Sequence, residues 1–212
     1  MMTYPEIRAR LSHVPLDIIQ RLGCEPSGRP LVCDGKEGGR TRTASYLDPQ
    51  AVCAPIAQRG IADLLAGVQE EARGNRGARI EEYSRGYQPD GHDQGPWCAF
   101  AASLWIHEAY PPYPRVGGAI RLVRDHCDPV QRDDLRPDDL IAWRSVTRPA
   151  PAGHVGVVAL ITPRYVWTVE ANVDLVGRTD GVAARRFTHD LVRADGARMV
   201  HLGRPRITVR SA

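Results

Sequence analysis

Cys98, His154, Glu170 and Asn172 are the residues of this chain whose types and settings suit chemistry. Cys98 follows Pro96-Trp97 and opens the helix-forming run CAFAASLWIHEA, which places it at or just inside a helix start. There the positive end of the helix dipole and unpaired N–H groups favour thiolate over thiol, the condition a sulfur nucleophile needs. A cysteine that opens an apolar helix is equally a small buried hydrophobe, so the reading requires a base. Among the 7 histidines, His154 has the setting for one, because it begins the run GHVGVVALI directly after a Pro/Gly turn. A side chain at a strand start faces a cleft while the residues after it enter the core. His13, His92, His107, His126, His189 and His201 lack that setting and read as solvated or structural. Glu170 and Asn172 close the segment WTVEAN two residues apart, and a strand period of two puts both on one face. Either one supplies the polar group that holds an imidazole in the tautomer a general base requires.

The elements that must position these residues follow from the hydrophobic pattern. Ile61, Leu64, Leu65, Val68 and Ala72 repeat at helical spacing and predict an amphipathic helix ended by Gly74, and Arg79 to Arg85 adds a short helical turn. Gln88 to Gly95 reads as a turn-rich loop that delivers the chain into Pro96, and a further helix is expected from Val116 to His126. The period then changes. Leu140 to Trp143, His154 to Thr162 and Tyr165 to Ala171 predict strands parted by turns at Pro149-Ala150-Pro151 and Thr162-Pro163, and Ala184 to Thr188 and Arg198 to Leu202 extend the sheet. Helices first and strands later give an α+β domain, with N-terminal helices packed on an antiparallel sheet.

Residues 1–48 read as an N-terminal extension of unknown role and residues 49–212 as the catalytic domain. Ile7, Leu11, Val14 and Ile18 keep helical spacing despite Pro15, until Gly23 ends the run. From Glu25 to Asp48 the turn signals GRP, DGKEGGR and LDP predict a long loop. The segment is either a docking or targeting element or a stretch packed onto the domain for stability.

Composition closes off several classes. With 42% hydrophobic and 25% charged residues, 212 residues suffice for one sizeable globular domain and exclude collagen-like and wholly disordered chains. The longest mostly apolar stretches, Cys98 to Ile106 and Val155 to Ile161, are far shorter than the roughly 18–20 residues of a membrane span, so no membrane insertion is expected. The N-terminal MMTYPEIRARLSHVPLDIIQ has prolines and charges where a secretory signal needs an apolar run. Lys36 is the only lysine among 28 basic residues, the arginines alternate with 25 acids, and no basic and aromatic stripe points to nucleic acid. The 5 cysteines contain no CxxC pair, which argues against a structural zinc site, and His126-Cys127 has no partner ligands nearby in sequence. Cys24 and Cys33 pair as a disulfide in an oxidising compartment or stay reduced in a reducing one.

Three blocks carry a family resemblance: PWCAFAASLWIHEA, GHVGVV and TVEAN resemble the signatures of the CHAP domain, the cysteine- and histidine-dependent amidohydrolase/peptidases of the papain-like NlpC superfamily. GNRGARIEEYSRGY before the cysteine and RPDDLIAW before the histidine resemble the family's lead-in segments, and the likeness spans residues 60–190. Asp138-Asp139 stands where many members have Gly-Asp, and residues 1–60 match no block of the family. The resemblance implies a papain-like fold, Cys98 as nucleophile, His154 as base, Glu170 as third polar residue and Asn172 as accessory. It also implies hydrolysis of amides in peptidoglycan peptides, either as an endopeptidase or as an amidase at the sugar–peptide link, without metal or other cofactor. Some relatives bind calcium beside the nucleophile, for which Asp90 and Asp93 are the nearby acids. The competing expectations are a non-catalytic module that binds a peptide or partner in a papain-like groove, and an amidase of small amides or isopeptides. A wall hydrolase without a signal peptide is made in the cytoplasm and reaches the wall or periplasm by phage release or non-standard export, with any delivery or immunity partner unknown.

Overall fold

Proline and glycine punctuation explains most element boundaries in the computed structural model, which describes residues 1–24, 31, 35–71, 74–85, 96–144, 153–175, 179–193 and 197–207. The N-terminal helical spacing is split in two: α1 (Tyr4–Arg10) begins at a Thr3/Glu6 capping box, and α2 (Leu16–Arg21) begins after Pro15, which has no N–H to continue α1. β1 (Gly23–Cys24) pairs antiparallel with β2 (Ser45–Tyr46), and α3 (Gly39–Thr43) lies between them. The long loop expected from Glu25 to Asp48 therefore contains a helix and a strand, although residues 25–30 and 32–34 of it lie outside the described residues.

α4 (Pro55–Leu65) starts earlier and ends earlier than its hydrophobic spacing predicts. Pro55 occupies the first turn, where its missing N–H costs nothing. At the other end Gly67 takes a φ of 73°, and the N–H groups of Gly67 and Val68 bond back to the carbonyls of Leu64 and Asp63. That pairing closes a helix through a left-handed residue, so Val68 leaves the helix although its spacing continues the stripe. α5 (Ala78–Ser84), α6 (Cys98–Ala109) and α7 (Ala119–His126) follow, α7 beginning three residues later than its pattern suggests.

The main sheet has six antiparallel strands in the order β3 (Cys127–Pro129), β8 (Arg198–Pro205), β4 (Leu140–Arg144), β5 (Gly153–Ile161), β6 (Val166–Asp174) and β7 (Asp180–Phe187). The α+β reading holds at this level, while β3 has too short a pattern to be read from sequence. The expected turn at Pro149-Ala150-Pro151 and the loop at Gln88 to Gly95 lie outside the described residues.

Alternation divides the sheet into two faces. Val155, Val157, Val169, Val182 and Ala184 enter the large core with Trp105 of α6 and Ile61 of α4. Ile141, Trp143, Val158, Val166 and Phe187 form a second cluster on the other face, closed by Leu191, Ala197 and Leu202. Residues before 48 join the large core directly, with Ile7, Ile19, Leu22, Tyr46 and Leu47 fully buried in it. Each such aliphatic side chain stabilises by roughly 1.5–3 kcal/mol. Among the described residues no helix is long and apolar enough to cross a membrane.

Candidate active site

α6 is apolar on every side because it is buried on every side: each residue from Cys98 to Ile106 is inaccessible or nearly so. Its start is pinned by Trp97, whose ring stacks on Tyr83 at 5.5 Å and 13° and whose indole N–H donates to Glu70 at 3.3 Å. Cys98 is left only 3% exposed. Its sulfur accepts from the backbone N–H groups of Val155 and Ala99, so the helix start does stabilise negative charge. Burial outweighs this and pushes the thiol up to about 11, with Val155, Ala99 and Arg193 opposing the rise. The helix start favours thiolate as expected, but desolvation of the sulfur is the larger effect.

Val155 is the neighbour of His154 on β5, so the backbone that meets the Cys98 sulfur adjoins His154. His154 pairs with Trp143 across β4, and Gly156 pairs with Glu170 across β6, so the His154 and Glu170 side chains share the face that carries Trp143. The histidine Nε2 bonds Glu170 Oε2 at 2.8 Å. A carboxylate only accepts, so Nε2 carries the hydrogen and the lone pair remains on Nδ1. Gly156 is what permits this contact, because a Cβ there would stand 2.9 Å from Glu170 Cγ and 3.2 Å from the Trp143 ring. No hydrogen bond joins Cys98 to His154 among the described residues; the sulfur is seated on the adjoining backbone instead.

Glu170 is fully buried and saturated with donors. Thr168 Oγ1 reaches its Oε1 at 2.7 Å, and Arg193 Nη1 reaches Oε2 at 2.8 Å, the same oxygen that His154 uses. Arg185 stands 3.6 Å away, directly opposite Thr168 on β7. Burial raises the carboxyl, but Arg193, the His154 bond and Arg185 together hold it well below the usual carboxylate range. For His154, which is 16% exposed, burial and then the Arg193 charge lower the pKa, and Glu170 restores only part of it. The imidazole is neutral near pH 7, the state a general base must have.

Asn172 does not join this network. Between Glu170 and Val173 β6 takes one residue more than β7 takes between Ala183 and Gly181, and the resulting bulge puts Asn172 at a φ of 58°. The shared face expected for Glu170 and Asn172 ends at that bulge. Asn172 Oδ1 is buried and has no hydrogen-bond partner among the described residues.

Arg193, Arg185, Thr168 and Trp143 went unnoticed in the sequence. Thr168 and Arg185 were findable, since Thr168 precedes Glu170 by one strand period and Arg185 lies opposite it. Arg193 comes from an irregular loop and leaves no periodic signal. Elsewhere, His107 Nδ1 meets Tyr113 O at 2.9 Å and His189 Nε2 meets Thr162 O at 3.0 Å, as structural histidines would. Cys24, Cys53, Cys98 and Cys127 are free thiols, and Cys33 lies outside the described residues. Among the described residues no group of three or more His, Cys, Asp or Glu side chains is arranged to hold a metal ion, while His92, Asp90 and Asp93 lie outside them.

A scan against protein-family models and a search of curated proteins each find no match to the chain. Residue chemistry and geometry therefore carry the functional reading.

Proposed function

We propose that this chain is a papain-like cysteine amidohydrolase/peptidase that cleaves amide bonds in peptidoglycan peptides. The observation that carries the catalytic part is the His154–Glu170 pair, a neutral imidazole oriented through Nε2 one residue before the Val155 backbone on which the helix-start cysteine is seated. The substrate class rests on the resemblance of the Cys98, His154 and Glu170 blocks to CHAP domains.

In this reading thiol and imidazole rest as a neutral pair, since the thiol is raised to about 11 and the imidazole lowered. His154 Nδ1 takes the Cys98 proton as sulfur attacks the carbonyl carbon, and the negative charge that forms on oxygen is met by backbone N–H at the start of α6. The imidazolium, stabilised by Glu170, returns the proton to the departing amine and leaves a thioester on Cys98. His154 then deprotonates water, which releases the acid and restores the thiol. Asn172, which the resemblance gives as an accessory residue, has its Oδ1 buried with no partner among the described residues and takes no part in these steps.

The deep burial of Cys98 and the absence of a Cys98–His154 hydrogen bond favour a second reading, a peptide- or partner-binding module that makes no use of the thiol. Incubation with purified sacculi separates the two. Hydrolysis releases soluble muropeptides, whose masses distinguish a cut within the peptide from a cut at the sugar–peptide link. Binding without release supports the module, and cleavage of small amides or isopeptides alone supports a different amidase. Delivery to the wall is tested by toxicity on periplasmic and not on cytoplasmic expression.

A further inference from the structure

Arg193 reaches the candidate site from an irregular segment that follows β7. After β7 the chain turns through Thr188 to Leu191, where the Leu191 N–H bonds Thr188 O at 3.0 Å and Leu191 takes a φ of 57°. A branched side chain avoids that conformation unless its surroundings enforce it. Here they do: the Leu191 side chain is fully buried in the second cluster, and its carbonyl accepts the Trp143 indole N–H at 2.8 Å. Two residues on, the Arg193 guanidinium lies over the Trp143 ring at 5.3 Å and reaches Glu170 Oε2 at 2.8 Å, with only 10% of its side chain exposed. Trp143 therefore holds the loop by its N–H and the arginine by its ring.

We propose that Arg193 is a positioning residue of this site, locking the Glu170 carboxylate onto His154 and keeping the imidazole in its base form through the positive charge beside it. The role rests on the hydrolase reading, since only a base needs its protonation controlled. Among the described residues, the charged groups acting on the pair are Arg193 from the loop and Arg185 from β7, and the Cys98 thiol of α6 and the Cys24 thiol of β1 feel Glu170 from the large core. Both thiols are pushed up by burial, Cys98 to about 11 and Cys24 to about 12, and stay uncharged at neutral pH. Of the two cations, Arg193 is the nearer to Glu170, at 2.8 Å against 3.6 Å for Arg185.

The test follows the His154 imidazole by NMR titration, its resonance assigned by loss in His154→Ala, in the wild type, Arg193→Gln and Arg193→Lys. The pH dependence of release from sacculi is recorded in parallel. The wild-type imidazole is expected to titrate below the ordinary histidine value of about 6.5. In Arg193→Gln the titration and the acid limb of hydrolysis move together to higher pH, and Arg193→Lys, which keeps the charge, lies nearer the wild type. An unmoved His154 in Arg193→Gln overturns the proposal, as does equal titration in the Gln and Lys variants. If the Gln variant does not fold, a wild-type His154 titrating at or above the ordinary value overturns it without any variant. A His154 shift in a protein that releases nothing from sacculi supports the positioning role and removes the hydrolase reading. Hydrolysis with an unmoved titration does the reverse.

Discussion

Two buried carboxylates, Asp63 and Glu170, each pair with arginine, yet their other donors differ in kind. Asp63 on α4 accepts two bonds from Arg79 at 3.0 and 3.2 Å, one from Tyr83 at 2.7 Å and one from the Trp105 indole at 2.6 Å. These donors tie α4, α5 and α6 together, and none of them gains or loses a proton near neutral pH. Tyr83 in turn stacks on Trp97, so the Asp63 cluster fixes where α6 begins and hence where Cys98 stands. Glu170 accepts from Arg193, Thr168 and His154, so a threonine and a histidine stand where Asp63 has a tyrosine and a tryptophan. In the proposed mechanism the histidine donor is what turns a static clamp into part of a proton-moving pair. Burial and arginine pairing hold both carboxylates in place, and among these donors the histidine is the kind able to exchange a proton near neutral pH.

The comparison is sharpened first by activity. Glu170→Gln is expected to lower hydrolysis by about 10²–10⁴-fold, the usual range for lost acid–base function, while Asp63→Asn lowers it only through loss of folded protein. Rates normalised to folded enzyme check this, and equal losses in the two variants would erase the distinction. Stability is affected in the other order. Asp63→Ala leaves the buried Tyr83 hydroxyl and Trp105 indole N–H without their acceptor, while Arg79 keeps Glu82 and Glu108, and should cost about 1–3 kcal/mol per orphaned donor by urea denaturation, whereas His154→Gln should cost much less. An Asp63→Ala protein as stable as the wild type would show that α6 is held by packing alone.

Gly156→Ala probes the Glu170 side without touching any polar group. The added methyl meets Glu170 Cγ at 2.9 Å, so the carboxylate or β6 must shift, at about 1–3 kcal/mol in stability and with a measurable fall in rate. Unchanged kinetics would mean that the His154–Glu170 bond is not needed.

Acid should act on the two carboxylates' neighbourhoods unequally. His154 has a lowered pKa when folded, so protons favour the unfolded chain as pH falls below about 6.5 and stability begins to decline there. Glu170 is also lowered, and its contribution, full above the unfolded value of about 4.3, is lost only as pH falls further through the folded value. Urea midpoints from pH 7 to 4 test this, and His154→Gln should flatten the upper part of the curve. Midpoints constant across that range would contradict the His154 assignment, and the Glu170 assignment predicts a further decline only when the series is carried below about pH 4. The smallest effect is chemical: the exposed Cys53, not the buried Cys98, should react first with iodoacetamide in the resting protein, as peptide mapping would report.

The strand period in the sequence was enough to put Glu170 on a face with its neighbours and to mark His154 as a strand start. It could not show the bulge at Asn172, because an inserted residue breaks alternation without changing composition. Helical spacing located α4, but the stripe ran on past Gly67, where backbone closure ended the helix. The setting of Cys98 was legible and its protonation was not, because burial depends on Trp97, Tyr83 and β5 arriving from elsewhere in the chain. Arg193 was illegible for the same reason, being placed by Trp143 and by the strained Leu191.

The central claim is that Cys98 is the nucleophile and His154 its base. The most direct measurement is the release of soluble muropeptides from purified sacculi by the wild type, Cys98→Ala and His154→Ala proteins, each confirmed folded by its thermal transition. Release by the wild type and none by either variant is the predicted result. Release by Cys98→Ala at the wild-type rate, or none by the folded wild type, would contradict it.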